Sequence, residues 1–300
     1  MRIDQNGWTA LITGASSGIG LELTRRLLSE DWQVIGLNRS RFSAEEEWIR
    51  RAMDDGRLRE YQADLTDFKQ LKQALLAIQA QETRIDVLFN NAGGSLSEVR
   101  YSPQGRELHY ELQTVAPYII FMEMKGLLLK GTHRTVVGTS TSAFATLRAF
   151  DPETLERPTK FRKLFGPYAT TKLALSLWTR AIAPIAALDG ITIRSADPGG
   201  NNTLRKGNSS GLPFYLKPIM KWLFAPPSKG ASLLYDAAFG RHNGSNGAFF
   251  MKGKAAKLKF IDHGPRVLEK VDTIYREEYR KPELEQEAIR ADRSSSIKAR

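Results

Sequence analysis

Tyr168 and Lys172 lie four residues apart in a chain of 300 residues, and their types and spacing could do acid–base chemistry. The run around them carries Leu175, Trp178 and Ile182, which predicts a helix with both side chains on one face. A free tyrosine titrates near ~10 and exchanges its proton poorly at neutral pH. A lysine one turn away stabilises the phenolate and lowers that value, so the pair can pass a proton to or from a substrate oxygen. Of the nine tyrosines, only Tyr168 has a lysine at this distance. Such a spacing also arises by chance, and its weight depends on what stands in front of it.

In front of it stands Thr13-Gly14-Ala15-Ser16-Ser17-Gly18-Ile19-Gly20. An apolar run from Trp8 to Ile12 leads in, and Ile19, Leu23 and Leu27 recur on one helical face behind it. A glycine turn between a strand and a helix is the context of a nucleotide site. Gly14 permits the sharp turn, Gly18 lets backbone amides approach a pyrophosphate, and Gly20 lets the helix pack closely on its strand. The helix N-terminus adds unpaired N–H groups and the positive end of its dipole. The spacing is neither G-x-G-x-x-G nor a Walker loop, since no Lys-Ser/Thr pair follows.

The octet resembles the cofactor fingerprint of the short-chain dehydrogenase/reductase family, and Asn90-Asn91-Ala92-Gly93 resembles a second signature of it. The resemblance runs over roughly residues 8–260. The long insertion between Ser140 and Tyr168 is similar to that of the retinol-dehydrogenase-like branch. The family implies an NAD(P)-dependent oxidoreductase that interconverts a carbonyl and an alcohol. It implies a cofactor site of Gly14, Ser16, Ser17, Gly18, Ile19 and Gly20, with Asn38 and Arg39 at the adenosine ribose and Asp64 and Leu65 at the adenine. Asn90, Ala92 and Gly93 allow close approach to the cofactor, and Pro198 and Gly199 shape the nicotinamide pocket. Lys172 holds the nicotinamide ribose and Thr203 the carboxamide. Tyr168 is the proton donor. Ser140 is the first candidate for the hydroxyl that polarises the carbonyl, Ser142 the second and Thr141 the third. Gln113 stands where the family has an asparagine that holds a water in a proton relay to the lysine. Gln113 has the same hydrogen-bonding groups on a longer arm.

These residues require strands that end beside one another. Segments 33–37, 57–63, 85–89, 134–139, 191–196 and 247–251 read as strands after the first. Helices are expected over about 43–57, 67–81, 105–129, 167–188, 228–239 and 267–279. Asp64 or Thr66 is expected to cap the helix at 67–81. Strands alternating with helices predict a Rossmann-type α/β fold, a doubly wound, mostly parallel sheet of about seven strands with helices on both faces. A single domain is expected over 1–280, with a substrate-loop insertion at about 204–228 and a polar tail at 281–300.

Composition bounds the rest. There are no cysteines, and His109, His133, His242 and His263 are scattered, so no metal site is expected. The N-terminal residues lack an apolar signal core, so a cytoplasmic location is the default. The net charge is +11, and from Pro198 to Ile261 the only acid is Asp236. No nucleic-acid-binding signature accompanies that charge, and no nucleic-acid partner is expected. Arg39 and Arg41, with no acid at position 38, favour NADP(H) over NAD(H). Leu173, Leu177, Trp178, Ala181 and Ile185 make helix 167–188 apolar around much of its circumference, which predicts a homodimer. Segment 204–227 mixes aromatics with lysines and reads as a lid over a hydrophobic small molecule, ahead of association with a membrane surface. The alternative function is a catalytically idle relative that senses NADP(H) or binds a protein.

Overall fold

The computed structural model describes residues 7–200, 225–240 and 245–281. Its sheet follows the order β3-β2-β1-β4-β5-β6-β7-β8. The strands are β1 (Thr9–Thr13), β2 (Gln33–Asn38), β3 (Leu58–Gln62), β4 (Val87–Asn90), β5 (Thr135–Thr139), β6 (Thr192–Asp197), β7 (Phe249–Met251) and β8 (Lys254–Ala256). The first seven run parallel, as expected. The eighth returns antiparallel on β7, with Phe249 opposite Ala256, and adds one strand to the expected count. The β7–β8 turn needs Lys252 and Gly253 at φ 53° and 74°, a left-handed pair that lets so short a link close.

Strand residues alternate between two cores. Leu11, Ile35, Leu88, Val136 and Ile193 face one helical layer, and Ala10, Ile12, Val34, Val87 and Val137 face the other. The first layer holds α3 (Phe68–Gln81), α4 (Leu108–Leu129), α5 (Pro167–Leu188) and α7 (Gly264–Thr273). The second holds α1 (Gly18–Ser29), α2 (Glu47–Asp54) and α6 (Pro227–Phe239). β1 pairs with both β2 and β4, so the chain reverses direction across the sheet between them. That crevice, at the carboxyl ends of the strands, is where an open α/β sheet receives a ligand.

Two local expectations change. Asp67 caps α3 by accepting from the amides of Lys69 and Gln70. Asp64 instead accepts from the amide and hydroxyl of Thr66, closing a turn just before the helix. The predicted helix 105–129 starts at Leu108 and contains a π-turn over Glu111–Val115. Among the described residues α4 alone is long and apolar enough to cross a membrane, yet 67% of its apolar window is buried in this fold.

Much of the apolar circumference of α5 is covered from within the chain. Leu173, Leu177 and Trp178 are fully buried, with α7 packed along the helix. Tyr118 of α4 sits edge-on to Trp178 at 5.4 Å and donates a hydrogen bond to Asp272 of α7 at 2.8 Å. Tyr275, in the π-turn that follows α7, donates to Glu123 of α4 at 2.8 Å. α7 therefore packs on part of the surface from which pairing was inferred. Ile185 and Leu188, near the end of α5, remain exposed. The predicted lid at 204–227 falls almost wholly outside the described residues, as do Thr203 and the tail beyond 281.

Candidate active site

The glycine octet joins β1 to α1. Gly14 has φ +68°, and a Cβ there would come within 3.1 Å of the Ala92 backbone. A Cβ on Gly20 would fall 2.2 Å from the carbonyl oxygen of Gly14 and 2.8 Å from the Asn91 amide nitrogen. The turn and the close helix approach therefore both demand glycine. Thr13 fastens the octet to the second motif: its hydroxyl accepts from the amides of Asn91 and Ala92, each at 2.9 Å. Asn91 returns a hydrogen bond from its side chain to the Thr13 carbonyl at 3.1 Å. Sequence reasoning assigned no role to Asn91, although its place inside the Asn90–Gly93 motif was the available signal.

Asn38 is placed differently from its expectation. It is buried, and its side-chain oxygen accepts from the Ser16 amide at 3.2 Å, so it supports the glycine turn from below. Arg39 is exposed and lines a cavity of about 290 Å³ together with Gln62, Ala63, Asp64, Gln70 and Gln73. Leu65 is buried beside this cavity's wall residue Asp64. An acid that the sequence order concealed, Glu60 of β3, approaches from the neighbouring strand. Its carboxylate accepts from the Phe42 amide at 2.7 Å and more weakly from the Asn38 side chain at 3.5 Å.

The second half of the site forms where β4, β5 and β6 end. Asn90 donates to the Pro117 carbonyl of α4 at 3.2 Å, tying strand to helix. Lys172 is buried and its ammonium donates to the Thr139 carbonyl. Burial drives its pKa down to about 7. A Cβ on Gly93 would stand 3.1 Å from the Lys172 nitrogen and 3.3 Å from the Gln113 side-chain oxygen, so the three converge on one point. Gln113 lies in the π-turn of α4 and donates to the Gly94 carbonyl at 3.1 Å. Its oxygen is buried without a protein partner, as are the side-chain oxygens of Asn90 and Thr139. Buried acceptors left open around a lysine suit ordered water or a ligand's hydroxyl groups.

The hydroxyl beside Tyr168 belongs to Thr141. The Thr141 side chain lies near enough to the Tyr168 hydroxyl to ease its ionisation. Burial, the larger effect, and the negative charge of Asp197 push the Tyr168 pKa up. Ser140 points the other way: its hydroxyl lies 2.8 Å from that of Ser176 and donates to the Lys172 carbonyl at 3.1 Å. The cause is strand alternation. The backbone stays extended through Thr141, at φ −158° and ψ 150°, so successive side chains leave on opposite sides. Ser140 shares its side with Gly138, which packs on Leu175 of α5. Ser142 contributes its amide rather than its hydroxyl, donating to Asp197 at 3.0 Å. Asp197 also accepts from the Gly199 amide at 2.9 Å and so shapes the turn that holds Pro198. Buried His109 stands edge-on to the Tyr168 ring at 6.2 Å, held by Glu107 at 2.6 Å and by the Leu96 amide at 3.0 Å. Neither Asp197 nor the Glu107–His109 pair was foreseen, because no spacing in the sequence brings them to Tyr168.

A model of the short chain dehydrogenase family matches residues 8–115, which hold the glycine octet and the Asn90–Gly93 motif. The chain is 27% identical over 279 residues to a polyprenol dehydrogenase of Danio rerio, covering 89% of this chain and 85% of the relative. It is 27% identical over 270 residues to retinol dehydrogenase 14 of Mus musculus, covering 84% and 80%. These matches support membership of the short-chain dehydrogenase/reductase family. The named relatives support the retinol-dehydrogenase-like branch of that family, whose members are oxidoreductases acting on CH–OH and C=O groups. The fold agrees. A carbonyl reductase from chicken fatty liver, solved with NADPH, superposes with a TM-score of 0.63 at 19% identity, over 84% of this chain and 99% of that one. An L-sorbose reductase from Gluconobacter frateurii gives 0.62 at 20% identity, over 84% and 97%.

Proposed function

We propose that this protein uses NADP(H) to interconvert a carbonyl and an alcohol on a hydrophobic small molecule. The observation that carries the reading is the convergence of Lys172 and Gln113 on Gly93, with Tyr168 one helical turn from Lys172 and Thr141 beside its hydroxyl. The glycine octet, the convergence at Gly93 and the cavity beside Arg39 fit a dinucleotide laid along the strand ends. When bound, the nicotinamide supplies or accepts the hydride. The chain's own groups handle the proton and the oxygen. Tyr168 donates its proton to the substrate oxygen in reduction and takes it back in oxidation. Thr141 donates to the same oxygen and polarises the carbonyl. Lys172 replenishes Tyr168, with water held by the open oxygen of Gln113 as the next carrier. Gln113 thus does with a side-chain oxygen what the family's asparagine does, and the π-turn aims it there.

The NADP(H) preference rests on Arg39. A 2′-phosphate carries charge that an exposed guanidinium at the adjoining cavity can pair with. Glu60 of the neighbouring strand already accepts from the Phe42 amide and, more weakly, from the Asn38 side chain. The hydrophobic substrate rests on the apolar composition of 204–227 and on relatives named for retinol and polyprenol. The test is NADPH consumption across a panel of aldehydes, ketones, steroids and sugars, run beside Tyr168→Phe. Turnover by the native protein but not by the variant supports the assignment. Near-native turnover by the variant refutes it.

A further inference from the structure

We propose that Asp197 is a positioning residue, which holds the Thr141 hydroxyl against Tyr168 by anchoring the backbone just beyond it. The inference rests on the reading above of Thr141 and Tyr168. Asp197 ends β6 and is buried. One carboxylate oxygen accepts from the Ser142 amide at 3.0 Å and the other from the Gly199 amide at 2.9 Å. Ser142 follows Thr141 directly and opens the short helix Ser142–Thr146. The carboxylate therefore clamps two loops together: the one that carries Thr141, and the Pro198–Gly199 turn that leads into the segment after position 200.

The clamp acts where the backbone has few other restraints. Past Thr139 the ladder to β6 ends, with one further hydrogen bond from the Ser140 amide to the Ala196 carbonyl at 2.7 Å. Thr141 also accepts from the Ala143 amide at 3.2 Å, which leaves its hydroxyl proton available to donate to Tyr168. A carboxylate holding two amides is stronger than a neutral acceptor and sets direction as well as distance. It also places a negative charge close to Tyr168, whose other charged or titratable neighbours are Lys172 on the same helix and His109 backed by Glu107.

The two effects of Asp197 on Tyr168 have opposite signs, and this makes them separable. Its charge disfavours the phenolate, whereas the hydrogen bond it positions favours it. Ser142→Pro removes the clamped N–H and leaves the carboxylate. Proline suits the first position of a helix, and the extended Thr141 before it is the conformation a proline requires. The readout is Tyr168 ionisation itself, taken from tyrosinate absorbance as the difference between each protein and its Tyr168→Phe counterpart, with melting temperature as a control. Ser142→Pro is expected to raise the ionisation midpoint by about half a pH unit to one unit, as Thr141→Val does, and to add nothing in the Thr141→Val background. A midpoint unchanged by Ser142→Pro overturns the proposal.

Asp197→Asn gives a second measurement that does not depend on proline being tolerated. In the Thr141→Val background only the lost charge acts, and the midpoint falls. With Thr141 present the fall is smaller or reversed, because the clamp is lost too. Equal shifts in the two backgrounds overturn the proposal. If Tyr168→Phe keeps near-native turnover, the reading of the site fails first. If that variant is inactive and the shifts are equal, only the role of Asp197 fails.

Discussion

Thr141 meets Tyr168 across the carboxyl end of the sheet, while its neighbour Ser140 is bonded to Ser176 on the opposite side of the strand. Thr141→Val keeps the shape and removes the donor. It is expected to lower kcat by ~10²- to 10³-fold, the cost of losing one donor to a developing oxyanion, with cofactor affinity unchanged. Ser140→Ala is expected to leave kcat within a few fold. Steady-state kinetics on a substrate from the carbonyl panel, with cofactor titrations alongside, check both. The reverse ranking would restore Ser140 as the catalytic hydroxyl.

Lys172 links activity to stability. Burial lowers its pKa to about 7, far below the ordinary lysine value near ~10.4. Between those values the unfolded chain binds a proton that the folded one does not, so stability rises with pH across the window. Below pH 7 the folded protein carries the full cost of a buried charge. Lys172→Met should therefore gain stability over the parent at pH 6.5, on the order of 3 kcal/mol, and the gain should fade toward pH 10. Denaturant titrations of both proteins without cofactor measure this. A difference that does not change with pH would show that Lys172 is not desolvated as the structure has it.

Arg39 governs the cofactor prediction. Arg39→Ala should weaken NADPH binding by ~10-fold and leave NADH binding nearly unchanged, since only the 2′-phosphate contact is lost. Arg39→Asp should reverse the preference. Calorimetry with both cofactors decides the matter, and equal affinity of the native protein for the two would remove the basis for NADP(H).

Helix α7 predicts a fourth outcome. Val271 is fully buried in the core that includes Tyr118 and Trp178. Val271→Asp should undock the helix at a cost on the order of 3 kcal/mol, bare the outer surface of α4 and α5, and promote self-association. Melting curves and sedimentation velocity at micromolar concentration test this. A stable variant that sediments like the parent would mean that α7 does not guard that surface.

The sequence by itself determined which residues could form a nucleotide crevice. Gly14, Gly18 and Gly20 are legible because their backbone geometry excludes other residues, and the Tyr168–Lys172 pair is legible because helical spacing is local. The parallel sheet was legible from alternation of strands with helices. Sequence spacing could not choose between Ser140 and Thr141. A strand sends neighbouring side chains to opposite sides, and which parity faces α5 is decided by how the helix docks. Glu60, His109 and Asp197 come from three elements distant in sequence, and only strand order and helix packing bring them beside Asn38 and Tyr168. The apolar circumference of α5 likewise read as a surface for a second chain. A count of apolar residues records that area must be buried but not by what, and the tertiary structure covers Leu173, Leu177 and Trp178 within the same chain, where α7 packs along the helix, while Ile185 stays exposed.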